Sequence, residues 1–189
     1  MAEFGYLLIG GVLWNNVIVT HLLGLYPFLG ERPATVAQNG ILGLVTTVLV
    51  VVAVTAGFAL RSMVLVPMEL IYLEHLTLVL VLIVLLAGAA RVLRRAPAWM
   101  PEHLVLRVSL NSAALGVVIL SLERAAGPAH TIVAALGLGL GVTVLLVLVE
   151  AIEERPETKL LPAWLRGMPL QFMTLGMIAL ALQGFSGIG

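Results

Sequence analysis

A small set of polar and ionisable side chains lies inside otherwise apolar stretches of this 189-residue sequence, and the chemistry open to the chain depends on them. A charged or amide group in apolar surroundings costs free energy unless it is paired or bound to something. Each such residue is therefore a candidate for carrying a proton or an ion, or for stabilising a break in a helix. The candidates are Asn15, Asn16, His21, Glu74, His75 and Asn111.

Asn15, Asn16 and His21 come shortly before a segment that contains two glycines and a proline, residues 23–30. The two asparagines can satisfy the carbonyl and amide groups that a helix break frees, which we take as their first role, or they can coordinate an ion. His21 could ligate a metal or a haem, although a lone histidine is weak support for such a site.

Glu74 and His75 are adjacent and lie deeper in their apolar stretch than Glu69. Neighbouring residues on a helix do not face the same way, so these two cannot form one site. One reading is that one of them pairs with a neighbouring helix or with Arg61 while the other meets lipid headgroups. The other reading is a proton or cation relay.

Composition then defines the elements that must position these residues. The chain is 61% hydrophobic and 11% charged, and its mean hydropathy is +1.12, which is typical of an integral membrane protein. The charged residues cluster and leave apolar blocks that reach or approach the roughly 20 residues of a spanning helix. We therefore predict an all-α membrane protein of six transmembrane helices, with no soluble domain and no nucleic-acid partner.

Two of these blocks are interrupted at corresponding places, in residues 23–30 and 109–116. When the second half is slid onto the first, Tyr26 falls on Ser112. Glycine and proline disrupt a helix, and paired breaks indicate a mid-membrane site in an inverted repeat. The second segment has no proline, so a continuous helix with a small-residue packing face is its alternative reading.

A basic, proline-bounded stretch divides the chain into two halves of three spans each. We place the first inverted repeat at residues 1–90, a cytoplasmic connection at 91–103 and the second repeat at 104–189, with broken first and fourth helices. Eight of the ten Lys and Arg residues fall on the side of the first, third and fifth loops, so both termini should lie outside the cytoplasm. Those eight are Arg32, Arg91, Arg94, Arg95, Arg107, Arg155, Lys159 and Arg166.

Six separated motifs make the chain resemble the membrane subunits of the Rnf and Na+-translocating NADH:quinone reductase (Nqr) complexes, of the Rnf A-type and Nqr E-type. The resemblance covers essentially the whole length. The motifs are residues 13–30 with Asn15-Asn16 and Leu23-Gly24-Leu25, Leu70-Ile71-Tyr72-Leu73, Asn111 with Leu115-Gly116-Val117, residues 152–155, Arg166-Gly167, and Gly184-Phe185-Ser186-Gly187.

The resemblance implies a 2Fe-2S cluster, which in that family is held by one cysteine from each interrupted segment. Two further cysteines come from a homologous partner of opposite topology. Tyr26 and Ser112 occupy those cysteine positions here, and the chain contains no cysteine at all. Oxygen side chains are poor replacements for thiolates on iron–sulfur centres. Glu74-His75 is a second departure, since the family usually shows an Arg-Thr-like pair there.

The resemblance implies a subunit of a redox-driven ion translocase in a bacterial or archaeal cytoplasmic membrane, not catalytic alone. It would pair with an inverted homologous membrane protein and line the mid-membrane path of Na+ or H+, with flavins and iron–sulfur centres in partner subunits. No metal or cofactor is expected on this chain's own side chains. A non-redox carrier or channel subunit, or a purely structural membrane subunit, is the alternative.

The topology can be tested with reporter fusions placed after Gly189 and near Pro97. The bias in Lys and Arg predicts that a reporter fused after Gly189 lies outside the cytoplasm and that one fused near Pro97 lies inside it. A cytoplasmic C-terminus would contradict both the orientation and the resemblance.

Overall fold

The computed structural model describes residues 2–13, 15–25, 35–93, 112–123, 127–155 and 160–184, and every regular element in these ranges is a helix. Three of the helices are long and apolar enough to cross a membrane: Val36–Leu65, Ile71–Val92 and Pro128–Glu153. Shorter apolar helices cover Glu3–Val12, Ser112–Ser121 and Met168–Gln183. The predicted all-α membrane class is thus confirmed in these ranges.

The helices are numbered here in chain order. They are α1 (Ala2–Val12), α2 (Val17–His21), α3 (Val36–Leu60), α4 (Glu74–Leu93), α5 (Ser112–Glu123), α6 (Pro128–Glu153) and α7 (Met168–Gln183). A π-helical turn, Arg61–Leu65, and a 3-10 turn, Ile71–Leu73, connect α3 to α4, and a second 3-10 turn, Ala163–Leu165, precedes α7.

Local sequence signals explain where the long helices begin. Thr35 and Gln38 form a capping box at the start of α3, in which each side chain accepts a hydrogen bond from the other residue's backbone N–H. Pro128 stands in the first turn of α6, where its missing N–H costs no hydrogen bond. At the other end of α3, Arg61 forms an ion pair of 3.0 Å with Glu74 and so braces the turn into α4.

Helix α6 lies between α1 and α3, and its glycines allow both neighbours to approach closely. Gly137 and Gly141 face α1: a methyl group added at Gly141 would come within 2.5 Å of the Gly11 carbonyl oxygen. Such contacts between backbones matter in lipid, where apolar side chains alone give helices little reason to associate. These glycines therefore serve packing between the helices.

Helices α3 and α6 cross through two reciprocal contacts. Gly43 of α3 lies against Thr143 of α6, and Gly139 of α6 lies against Thr47 of α3. The two threonine hydroxyls are 3.3 Å apart, and each also donates to the carbonyl oxygen of the glycine four residues earlier in its own helix. Each helix therefore contributes one glycine and one threonine to the crossing, in the same arrangement.

Contacts between side chains give the helix directions. His130 near the start of α6 lies 3.4 Å from Glu3 of α1, so these two helices run the same way. Asn39 near the start of α3 contacts Glu150 near the end of α6, so α3 runs the opposite way. The start of α3 therefore lies at the end of the bundle where α6 finishes. The start of α7 lies there too, because Gln171 contacts Glu153 at the end of α6.

Helix α4 lies at the edge of the bundle, packed against α3 and α5. Only 11% of its apolar span is buried, compared with 44% for α3 and 56% for α6. Most of its exposed residues are apolar, among them Leu80, Ile83 and Val84. This composition suits a face covered by lipid or by another membrane chain.

The close packing of α1 on α6 predicts opposite effects for two glycine-to-alanine variants. Gly141→Ala should lower stability by about 1–3 kcal/mol, because backbone atoms of α1 cannot move aside for the new methyl group. Gly88→Ala in α4 meets no atom within 4 Å and should raise stability by about 0.5–1 kcal/mol through helix propensity. Denaturant unfolding followed by circular dichroism in detergent measures both. Equal stability of Gly141→Ala and the unmodified chain would contradict the packing.

Candidate functional site

The first span is interrupted twice within the described residues, and the earlier interruption separates α1 from α2. Asn16 bridges it: its side-chain amide donates to the Val12 carbonyl oxygen at 3.3 Å and its side-chain oxygen accepts from the Ile18 N–H at 3.1 Å. The Asn16 side chain is buried, and it satisfies one group on each side of the break. The glycines and proline of residues 23–30 predict only the later interruption, and the earlier break was not predicted from the sequence.

Asn15 differs from its neighbour. Within the described part of the chain its side chain makes no hydrogen bond, and its backbone N–H donates to the Gly10 carbonyl oxygen at 2.8 Å. The side chain instead lines a cavity of about 140 Å3 between α1 and α6. The two asparagines of one motif thus have different surroundings.

The second interruption follows α2. Leu22 ends this helix in the left-handed conformation (φ 53°), and Gly24 also has a positive φ of 86°. Glycine adopts this conformation without strain, whereas a leucine there costs about 1–2 kcal/mol. His21 is exposed at the end of α2, and no group of three or more His, Asp or Glu residues in the described ranges could hold a metal ion.

The segment after α2 meets the first turns of α5, and we call this contact, between residues 22–25 and 112–116, the junction. The Gly24 N–H donates to the Ser112 hydroxyl oxygen at 2.9 Å. A methyl group added at Gly24 would come within 2.5 Å of the Ala113 Cβ, and one added at Gly116 within 2.5 Å of a Leu23 methyl group. Small residues on both sides therefore make the junction possible.

The junction joins residues that are distant in the sequence. Ser112 begins α5 and belongs to both the second interrupted segment and the junction. Tyr26 and Asn111 lie outside the described residues, as does the connecting stretch from residue 94 onward. The structure therefore describes one member of the pair formed by Tyr26 and Ser112.

Glu74 and His75 lie at the beginning of α4 and not deep within it. Glu74 is in the first turn, where its carboxylate pairs with Arg61, and His75 is exposed. Of the two readings of Glu74 and His75, the one in which one of them pairs with Arg61 therefore describes Glu74. The helix begins here because the preceding turn contains Pro67 and Glu69, and Glu69 has a positive φ of 57°.

Two buried polar contacts were missed by the sequence analysis. Asn39 donates from its side-chain amide to the Glu150 carboxylate at 2.8 Å, and Gln171 donates to the Glu153 carboxylate at 2.7 Å. Glu150 follows the uncharged block directly, as a residue at the solvated end of a helix would. The spacing of Glu150 and Glu153, which places both on one side of a helix, was the available signal.

These features define an all-α membrane protein in which the segment after α2 meets the first turns of α5. A family model described as "Rnf-Nqr subunit, membrane protein" matches residues 5–189. The chain belongs to this Rnf-Nqr family of membrane subunits.

Several relatives, each named as the A-type subunit of an ion-translocating oxidoreductase complex, are similar to the chain along its whole length. The relative from Cereibacter sphaeroides is 30% identical over 100% of this chain and 98% of its own length. The relative from Syntrophotalea carbinolica is 33% identical over 96% of this chain and 95% of its own length. The relative from Edwardsiella ictaluri is 32% identical over 100% and 98%, respectively.

The residues of the junction do not fit the 2Fe-2S cluster that the family resemblance implies. The chain has no cysteine to supply a thiolate. Ser112, at one of the two ligand positions, uses its oxygen to accept the Gly24 N–H. A serine hydroxyl that holds backbone in this way serves the fold, and we assign it no step in electron transfer.

The two neighbouring asparagines give a matched pair of variants. Asn16→Ala removes the cap of α2 and the partner of the Val12 carbonyl, so we expect a loss of about 1–2 kcal/mol in stability. Asn15→Ala should change stability by less than about 0.5 kcal/mol, since its side chain makes no hydrogen bond within the described residues. Thermal unfolding in detergent compares them. Equal losses in the two variants would show that Asn16 does not stabilise the break.

Proposed function

We propose that this chain is a membrane subunit of an electron-transport-coupled, ion-translocating oxidoreductase complex of the Rnf/Nqr type. The names of the full-length relatives support this assignment. The observation that carries it is the junction, where the Gly24 N–H reaches Ser112 and the segment after α2 meets the first turns of α5. In membrane proteins built on inverted repeats, such interrupted segments mark the path of the transported species.

The architecture we propose is two inverted three-span halves, residues 1–90 and 104–189, joined by the connection at 91–103. The reciprocal contacts of Gly43 with Thr143 and of Gly139 with Thr47 support it, because an inverted repeat places equivalent helices antiparallel across one axis. The bundle end shared by the starts of α3 and α7 also carries Arg155 and Arg166. That end is the cytoplasmic one in our proposal, which leaves both termini outside a bacterial or archaeal cytoplasmic membrane.

The protein pairs, in this proposal, with an inverted homologous membrane chain and borders the path of Na+ or H+. Only 11% of the apolar span of α4 is buried, which leaves it a large apolar face for such a chain or for lipid. The protein is not catalytic alone, and flavins and iron–sulfur centres belong to its partners. Asn15 at the cavity beside the first break, and His21, Glu74 and His75 at the ends of helices, stay candidates for the ion path, as does Asn111, which lies outside the described residues.

A specific observation favours a second candidate function, that of a carrier, channel or structural subunit that has lost redox chemistry. Ser112 stands at a position where the family has a cysteine, and it forms a hydrogen bond that tightens the junction. The scaffold is thereby closed by a polar contact that needs no cofactor. The two candidates differ in whether electrons pass through the complex.

Purification in a mild detergent, with mass spectrometry of the recovered chains, tests the proposal. We expect a second membrane protein of the same inverted plan to accompany this chain, together with subunits that carry redox cofactors. A monodisperse single chain with full transport activity would contradict the proposal. Recovery of a membrane partner without any redox subunit would favour the second candidate.

The same preparation tests the prediction that no 2Fe-2S cluster is ligated by Tyr26 and Ser112. We expect low-temperature EPR and iron analysis to give the same result for the unmodified complex and for Ser112→Ala. Replacing Tyr26 and Ser112 together by cysteine is the matched gain-of-ligand variant. An iron–sulfur signal that disappears in Ser112→Ala would refute the prediction, whereas a signal present only in the double variant would show that the geometry persists without the ligands.

A further inference from the structure

Polar groups follow the seam between α1 and α6, from the end of the bundle where both helices begin to the first break. His130, Ala134 and Leu138 are spaced by four residues and therefore lie on one side of α6. Glu3 of α1 lies beside His130, and Asn15 in the break lines the same cavity as Ala134 and Leu138. The cavity thus has a polar pair one helical turn away and a polar side chain in its wall.

Asn15 is the polar side chain that the contacts at the break leave over. Asn16 uses both polar atoms of its side chain, on Val12 and Ile18. The Asn15 side chain carries two N–H donors and one carbonyl oxygen, and it makes no hydrogen bond within the described residues. Lipid tails offer no hydrogen bonds, so an amide group at membrane depth favours a polar ligand.

His130 gives a second, independent indication of a ligand, one turn before the cavity. Its Nε2 atom is buried and has no hydrogen-bond partner among the described residues. The Glu3 carboxylate lies 3.4 Å from this atom without the geometry of a hydrogen bond, and the ring of Phe4 packs on the imidazole at 4.8 Å between centroids. Buried polar atoms that the protein leaves unpaired are typically satisfied by water.

The cavity has the size and the polar groups that water requires. Its volume is about 140 Å3, whereas one water molecule occupies about 30 Å3 in the liquid. A cavity with only apolar walls stays dry, but here Asn15 offers donors and an acceptor. Tyr6 lines the same cavity, and its hydroxyl can both donate and accept. An acyl chain in this space would leave the Asn15 amide unpaired, so water is the favoured occupant.

The depth of the cavity allows it to be reached from one end of the bundle. Leu138 is ten residues from Pro128, which corresponds to about 15 Å along α6. This distance is about half of the roughly 30 Å thickness of the hydrocarbon layer. His130 and Glu3 lie between the cavity and that end.

We propose that the cavity between α1 and α6 holds water that is continuous with the solvent at the end of the bundle where these helices begin. His130 and Glu3 form its polar entrance, and Asn15 is its innermost polar group. The first break is thereby hydrated from one side of the membrane. This inference does not rest on the proposed function, since a redox-coupled, carrier or structural subunit can contain such a cavity.

Thiol labelling tests the cavity, because the chain has no cysteine and each introduced cysteine is its only one. Membranes that contain the full-length chain and its accompanying subunits are treated with a small water-soluble methanethiosulfonate. This reagent reacts with the thiolate, which forms in water and not in lipid. We expect Asn15→Cys and Ala134→Cys to react roughly tenfold faster, or more, than Ile9→Cys.

Ile9→Cys is the matched control. Ile9 lies on α1 at the depth of the cavity, but it is 50% exposed on the outer face of the helix and does not line the cavity. After unfolding in SDS, all three variants should react alike, which shows that each thiol is intact.

A second measurement needs no variant and keeps the test valid if Ala134→Cys fails to fold. Hydroxyl radicals formed by X-ray radiolysis of water modify the side chains next to the water that produced them. Leu138 and Leu145 are both on α6 and both 1% exposed, and of these two Leu138 lines the cavity. We expect oxidation of Leu138 and none of Leu145 in the unmodified protein.

Three results would overturn the proposal. Equal reaction of Asn15→Cys, Ala134→Cys and Ile9→Cys would show that the cavity is dry, filled by lipid or closed by the chain itself. Reaction of only one of the two cavity variants would show that water reaches that residue by another route. Equal oxidation of Leu138 and Leu145 would show that no water is held beside Leu138.

Discussion

The packing of α6 between α1 and α3 is the constraint on which the rest of the structure depends. In a bilayer, apolar side chains gain little by leaving lipid for another helix, so association relies on close contact and on polar pairs. Gly137 and Gly141 admit the backbone of α1, and Gly139 admits Thr47 of α3. A helix with glycines on two sides can hold two neighbours at once. The position of the broken first span, and with it the junction, follows from this arrangement.

The junction depends on small residues from two distant parts of the chain. Gly24 and Gly116 leave room for the segment after α2 to approach the first turns of α5. Ser112 then supplies a hydrogen bond to the Gly24 N–H. A single hydrogen bond of this kind contributes about 0.5–1.5 kcal/mol to stability, so the gain is structural and modest.

Helices α3 and α6 contribute like residues at the centre of their crossing and unlike residues at its two ends. Thr47 and Thr143 meet at the centre in equivalent surroundings. At one end the residues are apolar, and at the other Asn39 and Glu150 form a buried polar contact. A transport path requires the two sides of the membrane to differ, since an ion must be bound on one side and released on the other. This difference in polarity is a feature that a symmetric duplication alone would not produce.

Composition and pattern by themselves determined the membrane class, the helical architecture, the family and the interruption of the first span. These properties depend on hydrophobicity summed over long windows and on glycine and proline, whose backbone preferences are local. Only the tertiary structure decided that Asn16 spans an earlier break, that Glu74 pairs with Arg61 at the start of a helix, and that Glu150 is buried against Asn39. Each of these contacts joins residues through the direction and spacing of packed helices. A carboxylate at the end of an apolar block has the same sequence signature whether it meets water or another helix, and its neighbours are known only once the helices are packed.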